Sequence, residues 1–434
     1  YDSRTIPYRR GDIVDRNGTY LATSEKVYNL ILDPNQINKS PEKYLEPTVT
    51  ALCDVFGYDR TELLAAINEN PNSYYIRYAR QLSADEKEAF EAKEDEMNAA
   101  FAAEKSSNHV KGVWFEDEYR RVYPYDSLAC NVIGFAFDNS TQGSGGIEQY
   151  YNDQLIGNNG REYGYLDDES NMERVIKSPE NGNTIVSTID VNIQKITEKY
   201  IDEWMDGIGS QTAAILVMDP NNGEILAMAS NRRFDLNDPR NLSTMYSAMT
   251  EEEELEAWNQ MWRNFCVNDS YEPGSPAKPM TVAACLEEGI ISQNTVFVCD
   301  GGYDVGGYRI KCSNIYGHGP LDVEHSLMKS CNDAMMQMSA MLGTERFAKY
   351  QKLFGLGQKT GIDLPGEADT AGLIYTADNM SPTDLACSSF GQTYNCTMIQ
   401  MAAALSSIIN GGSYYEPHVA KQILNEQGAV VKKI

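Results

Sequence analysis

Tyr271-Glu272-Pro273-Gly274-Ser275-Pro276-Ala277-Lys278-Pro279 precedes an apolar helical pattern at residues 280–286. The Pro-Gly turn puts Ser275 at a helix N-terminus, with Pro276 at the first helical position, where a missing N–H is tolerated. Lys278 follows three residues on, so one helical turn carries its amine onto the serine's face. A serine hydroxyl is a poor nucleophile until a neighbour takes its proton, and a partly desolvated lysine with a lowered pKa can take it. Negative charge developing on a bound carbonyl would meet the N–H groups of the helix start. Alone, Ser-x-x-Lys is too short to decide, because a capping serine beside a solvated lysine fits it equally.

The surroundings add weight. Ser330-Cys331-Asn332 comes 55 residues after Ser275, ahead of another apolar helical pattern at 334–342. Such a loop offers a hydroxyl to relay a proton and an amide to hold a substrate amide. Further on stand Gly355-Leu356-Gly357-Gln358-Lys359-Thr360-Gly361-Ile362-Asp363-Leu364-Pro365-Gly366-Glu367 and Ser389-Phe390-Gly391-Gln392. Before these, residues 184–189 read as a strand. Residues 190–205 read as an amphipathic helix with Ile193, Ile196, Tyr200, Ile201 and Trp204 on one face. Two apolar strands at 213–218 and 224–228, joined by Asp219-Pro220-Asn221-Asn222-Gly223, read as a hairpin.

The N-terminal part carries no nucleophile–base pair. Arg10-Gly11-Asp12-Ile13-Val14-Asp15-Arg16-Asn17-Gly18 contains a turn signal between β-like runs, the second at 27–32. Residues 41–70 are helical in pattern, and 83–105 form a charged, Ala-rich helix opening on a Ser83/Glu86 capping box. Phe90, Met97 and Phe101 give that helix only a thin apolar stripe, as on a solvated surface helix. Residues 119–137 look β-rich, and 140–146 form a Gly/Ser loop.

Length and charge exclude other classes. The 434 residues fit two or three domains. With 63 acidic against 36 basic residues the net charge is −27, and the basic pairs are isolated, which disfavours nucleic acid as a partner. No apolar run approaches the ~20 residues that cross a bilayer. The first residue is Tyr1 rather than Met, which leaves room for an anchoring segment cut away ahead of it. Nine cysteines, an odd and ordinary count, argue against a disulfide-built scaffold.

In this order the motifs resemble a class B penicillin-binding protein, a monofunctional peptidoglycan D,D-transpeptidase, over nearly the whole chain. The Arg-Gly-x-Ile-x-Asp-Arg-Asn-Gly opening is similar to the family's pedestal. Thr188-Ile189-Asp190 with Gln194 is similar to the start of its transpeptidase domain, Ser275 with Lys278 to its nucleophile motif, and Ser330-Cys331-Asn332 to its second motif. The resemblance implies an α+β fold: an elongated N-terminal pedestal over 1–182, then a serine β-lactamase-like transpeptidase domain over 183–434 with a central antiparallel sheet and helices. It implies that Ser275 attacks the penultimate D-Ala carbonyl of a stem peptide with Lys278 as base. Ser330 would shuttle the proton, Asn332 would hold substrate, and β-lactams would acylate the same serine. It also implies a bacterial membrane protein with one N-terminal anchor, an extracytoplasmic catalytic domain and a membrane glycosyltransferase as partner. One departure stands out. The family's third motif, Lys-Thr/Ser-Gly, is expected well after Ser389, yet Lys359-Thr360-Gly361 precedes it and is assigned no catalytic role. Either the sequence stops short of that motif or the protein lacks it; the first is expected, because the stretch up to Val419 still resembles the family. The rivals are a serine β-lactamase or carboxypeptidase, and a non-catalytic scaffold of the same fold.

Cys299, Cys312, His318 and Cys331 fall within 33 residues. Paired glycines between the first two favour a hairpin, and His318 lies between Gly317 and Gly319. Three thiolates and an imidazole satisfy a closed, structural Zn²⁺ site. A Cys299–Cys312 disulfide, or thiols buried as small hydrophobes, fit the same spacing. The elongation-type branch of the resembled family carries zinc beside the second motif, with a His and that motif's central Cys at matching positions. This points to elongation and cell shape, with Cys299 and Cys312 a departure in ligand type.

Overall fold

The computed structural model describes residues 2–137, 141–166, 172–242 and 249–434. The Asp15–Gly18 turn joins strand Ile13–Val14 to strand Tyr20–Leu32, which extends well ahead of the expected 27–32. Buried Asp15 does two jobs. Its carboxylate accepts from the N–H groups of Asn17 and Thr19 inside the turn, and from Val191 at the start of a distant helix. The long strand pairs antiparallel with Ile76–Leu82 and Val113–Val122 to make a head. Helices Pro41–Phe56, Arg60–Glu69 and Ala84–Ala103 cover it. Gly57, at φ +67°, breaks the 41–70 pattern in two. The Ser83/Glu86 capping box forms, and Phe90 pins its solvated helix by packing 5.9 Å from Phe56 and 5.8 Å from Phe115. In the 119–137 stretch, expected to be β-rich, the strand ends at Val122. A helical turn, Cys130–Ile133, follows, with Ala129 left-handed ahead of it. Of the 140–146 loop, Ser140 lies outside the described residues, and Gly143–Ser144 pairs with Phe135–Ala136.

One sheet runs through the division expected at residue 183. In order it contains Val430–Lys433, Ala420–Leu424, Thr184–Ser187, Ile13–Val14, Tyr20–Leu32 and Ile76–Leu82, and Ile185 pairs parallel with Ile13. A single apolar cluster likewise joins Ile13, Leu21, Phe135 and Ile147 to Ile185, Met228, Val267 and Ile399. Beside it, Glu148 is fully buried between two guanidiniums. Its carboxylate accepts from Arg10 Nε and Arg121 Nε at 2.7 Å each, and from the Tyr123 hydroxyl at 3.0 Å. Burial alone would raise the Glu148 pKa, but Arg121 and Arg10 outweigh it and hold the carboxyl below its ordinary value. Asp363 makes a second tie, taking the Tyr151 hydroxyl at 2.6 Å and the N–H groups of Val419 and Ala420.

The C-terminal half matches the α+β expectation. The hairpin pairs Ala214–Met218 with Ile225–Ser230, and helices Lys278–Glu287, Asn332–Leu342 and Met398–Ile409 pack behind the site. The helix Val191–Gly207 corrects the sequence reading. Its buried face is Val191, Gln194, Thr197, Glu198 and Ile201, while Ile196, Tyr200 and Trp204 are 55, 56 and 45% exposed. The polar residues face inward because the interior supplies partners for them. Gln194 exchanges two 2.9 Å hydrogen bonds with the Met228 backbone, and Glu198 accepts from Ala129 N–H.

Burial raises the Glu198 pKa from an ordinary 4.5 to about 7, against the opposing pull of Arg233. The folded chain therefore keeps a proton that the unfolded chain has released, and stability falls as pH rises between about 4.5 and 7. Glu198→Gln keeps the acceptor oxygen without titrating. Its melting temperature relative to wild type should climb from pH 5 to pH 8, and a pH-independent difference would refute the shift.

Candidate active site

Gly274, at φ +65°, turns the chain into a single 3₁₀ turn, Ser275–Ala277, which runs into the helix Lys278–Glu287. Ser275 is exposed, whereas Lys278 is 2% exposed. The Lys278 amine reaches across to the second motif and donates to the Ser330 carbonyl at 2.7 Å and to Ser330 Oγ at 2.8 Å. Ser330 Oγ in turn donates to Ser275 Oγ at 3.0 Å. The expected lysine–serine pair is thus a three-membered chain, Nζ–Oγ–Oγ, with Ser330 in the middle. Ser330 holds a left-handed backbone at φ +49°, a conformation a serine keeps only where its surroundings impose it. Burial lowers the Lys278 pKa, partly offset by the thiols of Cys312 and Cys331, which favours the neutral amine a proton acceptor requires. Asn332, half-buried, opens the helix Asn332–Leu342, and the Cys331 Sγ caps that helix by accepting from Ala334 N–H.

Sequence reasoning did not find the brace beneath Ser275. Tyr271 and Cys396 exchange backbone hydrogen bonds of 2.9 and 3.0 Å, and Gly274 N–H donates to the Gly391 carbonyl at 2.8 Å. Thr281 Oγ1 binds the Ser389 carbonyl one turn later. The Ser-Phe-Gly-Gln segment is therefore tied to the chain on both sides of Ser275. Lys359-Thr360-Gly361 is occupied elsewhere: the Glu367 carboxylate takes both the N–H and the hydroxyl of Thr360 at 2.6 Å.

The four candidate metal ligands converge, with ligand atoms all within 4.8 Å of one another. Tyr308–Lys311 folds back on Gly302–Val305 as expected, while Cys299 sits in a separate pairing of Phe297–Cys299 with Gly319–Leu321. His318 Nδ1 lies 3.5 Å from Cys299 Sγ and 3.7 Å from Cys312 Sγ, and Cys312 Sγ is 3.9 Å from Cys331 Sγ. Tetrahedral zinc bonds of ordinary length put sulfurs about 3.8 Å apart and sulfur about 3.6 Å from nitrogen, so the donor set fits the ion. All nine cysteines are free thiols. Burial would raise the Cys312 thiol, but backbone donors at Asp333, Asn314 and Asn332 outweigh it and bring its pKa down to about 7.

Residues 213–433 match the penicillin binding protein transpeptidase domain, and residues 5–187 match the penicillin-binding protein dimerisation domain. The chain belongs to the penicillin-binding protein transpeptidase family. The stage V sporulation protein D of Bacillus subtilis (strain 168) is 32% identical, covering 97% of this chain and 60% of its own length. The probable peptidoglycan D,D-transpeptidase PenA of Neisseria gonorrhoeae is 28% identical over 99% of this chain and 68% of its own. Among solved structures, penicillin binding protein 2X from Streptococcus thermophilus shares the fold, with a TM-score of 0.78 at 23% identity over 99% of this chain and 62% of that one.

A Cβ on Gly391, which sits at φ +84°, would lie 2.0 Å from the Gly274 carbonyl oxygen. Gly391→Ala combines that overlap with a left-handed backbone, and it should cost about 1–3 kcal/mol in urea unfolding. An unchanged unfolding midpoint would contradict the close approach.

Proposed function

We propose that this protein is a peptidoglycan D,D-transpeptidase that cross-links stem peptides ending in D-Ala-D-Ala through an acyl-enzyme on Ser275. The hydrogen-bonded chain from Lys278 Nζ through Ser330 Oγ to Ser275 Oγ carries this reading. With the Ser330 hydroxyl turned to donate to a neutral Lys278 amine and to accept from Ser275, Ser275 Oγ attacks the penultimate D-Ala carbonyl as its proton passes through Ser330 to Lys278. The proton returns through Ser330 to the departing D-Ala amine, and Asn332 holds the peptide amide. An amine from a neighbouring strand then takes the acyl group. β-Lactams acylate the same oxygen. Residues 183–434 carry this chemistry and residues 1–182 position it. The protein is anchored in the bacterial membrane by one N-terminal segment, faces outward and works beside a membrane glycosyltransferase. Elongation is the role we assign, supported by the cysteine–histidine cluster. Sporulation is the second reading, favoured by the 32% identity to the stage V sporulation protein.

The full-length protein incubated with a fluorescent penicillin should carry a stable adduct that peptide mass spectrometry maps to Ser275. Ser275→Ala should abolish the label, and Lys278→Ala should slow it ~10²–10⁴-fold. An adduct elsewhere sinks the assignment. Rapid hydrolysis of penicillin favours a β-lactamase, and absence of any adduct favours a scaffold.

The zinc reading is a proposal of the same standing. Cys299, Cys312, His318 and Cys331 form a closed set whose ion supplies a cross-link that fixes the backbone of Ser330 and Asn332. Protein purified without chelator should contain one zinc per chain, and Cys312→Ser should lose it along with several degrees of melting temperature. Zinc-free protein with a Cys299–Cys312 disulfide would refute this.

A further inference from the structure

Thr393 stands at φ +69°, a left-handed conformation that a β-branched residue adopts only where something imposes it. Its side chain is exposed, so its own burial does not supply the restraint. Two contacts reach it: the Thr393 hydroxyl meets the Tyr375 side chain, and Glu272, three residues before Ser275, accepts from the Thr393 N–H through Oε1 at 2.9 Å. This bond is one rung of a ladder. Below it lies the double backbone bridge of Tyr271 with Cys396, and above it the bond from Gly274 N–H to the Gly391 carbonyl. Glu272 supplies the side-chain rung, at the point where the backbone of the opposite segment is strained. Gly391 has no slack, since its α-carbon already faces the Gly274 carbonyl too closely to admit a methyl group. A shift of Thr393 that travels back through Gln392 to Gly391 is therefore passed on to Gly274, the residue directly before the nucleophile.

We propose that Glu272 is a positioning residue for Ser275: its carboxylate holds Thr393 left-handed and so locks Gly391 against the turn that presents the serine. This rests on the reading of Ser275 as the acylated residue. The carboxylate works here as a hydrogen-bond acceptor, and a neutral acceptor of the same shape serves as well.

The test is acylation of the full-length protein by a fluorescent penicillin, resolved into the dissociation constant of the initial complex and the acylation rate constant, alongside hydrogen exchange at the Thr393 amide. Glu272→Ala should slow the acylation step at least about tenfold while leaving the initial dissociation constant within about threefold, because misplaced reacting atoms cost rate more than ground-state binding. Its Thr393 amide should exchange faster. Glu272→Gln should stay within about threefold of wild type in both constants, because the amide oxygen still accepts the bond. In a Thr393→Gly background, removing Glu272 should cost less than about threefold, since glycine takes positive φ without help. The proposal is overturned if Glu272→Ala acylates at the wild-type rate, if Glu272→Gln loses as much as Glu272→Ala, or if the Thr393→Gly background suffers the full loss. A parent protein that labels on a residue other than Ser275 overturns the reading of the site itself, whatever the Glu272 variants do.

Discussion

The Lys278 side chain is taken almost wholly out of water, and a buried amine must either find acceptors or shed its proton. Ser330 offers both acceptors, its carbonyl and its hydroxyl, and to present them together its backbone takes up a left-handed turn. That turn has to be held, and the elements around it hold it. The Cys331 side chain caps the following helix, and Ser330 N–H and Cys331 N–H donate to the carbonyls of Leu327 and Ser326 in the preceding helix, Val323–Met328. On its far side Cys331 Sγ packs 3.9 Å from Cys312 Sγ, within the thiol–imidazole cluster. On the near side, Ser275 is presented by a turn whose backbone is bonded to residues 391–396. The hydroxyl–hydroxyl contact in the middle is only as accurate as these two supports.

The supports belong to a larger frame that does not stop where chemistry starts. Asp15 ties the opening turn to the helix beginning at Val191, and Ile13 pairs with Ile185 across the middle of the sheet. Asp363, in the segment that carries Lys359-Thr360-Gly361, joins Tyr151 to Val419 and Ala420. The pedestal and the C-terminal half thus share strands, core and buried polar bonds. A tilt of one loads the other through bonds with defined geometry, rather than through a flexible linker.

Legibility in the sequence followed the range of the interaction. Local signals were read correctly: the Asp15–Gly18 turn, the Ser83/Glu86 capping box, the 219–223 hairpin, the helical start at Ser275 and the helical pattern at 334–342 depend on neighbours a few residues apart. The convergence of Cys299, Cys312, His318 and Cys331 was readable because a hairpin and two glycines fold a short segment onto itself. The inward face of the Val191–Gly207 helix was not readable. Periodicity locates a stripe, but whether Gln194 and Glu198 turn inward depends on backbone groups at Met228 and Ala129, far away in sequence. Nor did spacing reveal that the lysine reaches Ser275 by way of Ser330, since the left-handed turn at Ser330 is set by tertiary contacts. Glu272 was in plain view within the nucleophile motif, but its partner Thr393 lies 121 residues away.

The central claim is that Lys278, Ser330 and Ser275 act as one hydrogen-bonded unit. A double-mutant cycle of Lys278→Ala and Ser330→Ala on the second-order rate constant for penicillin acylation tests it most directly. Groups that act as a unit are strongly non-additive. Each single variant should lose ~10²–10⁴-fold, and the double variant should fall within about tenfold of the slower single one. Losses that multiply in the double variant would mean that the two side chains act independently, and would contradict a relay through Ser330.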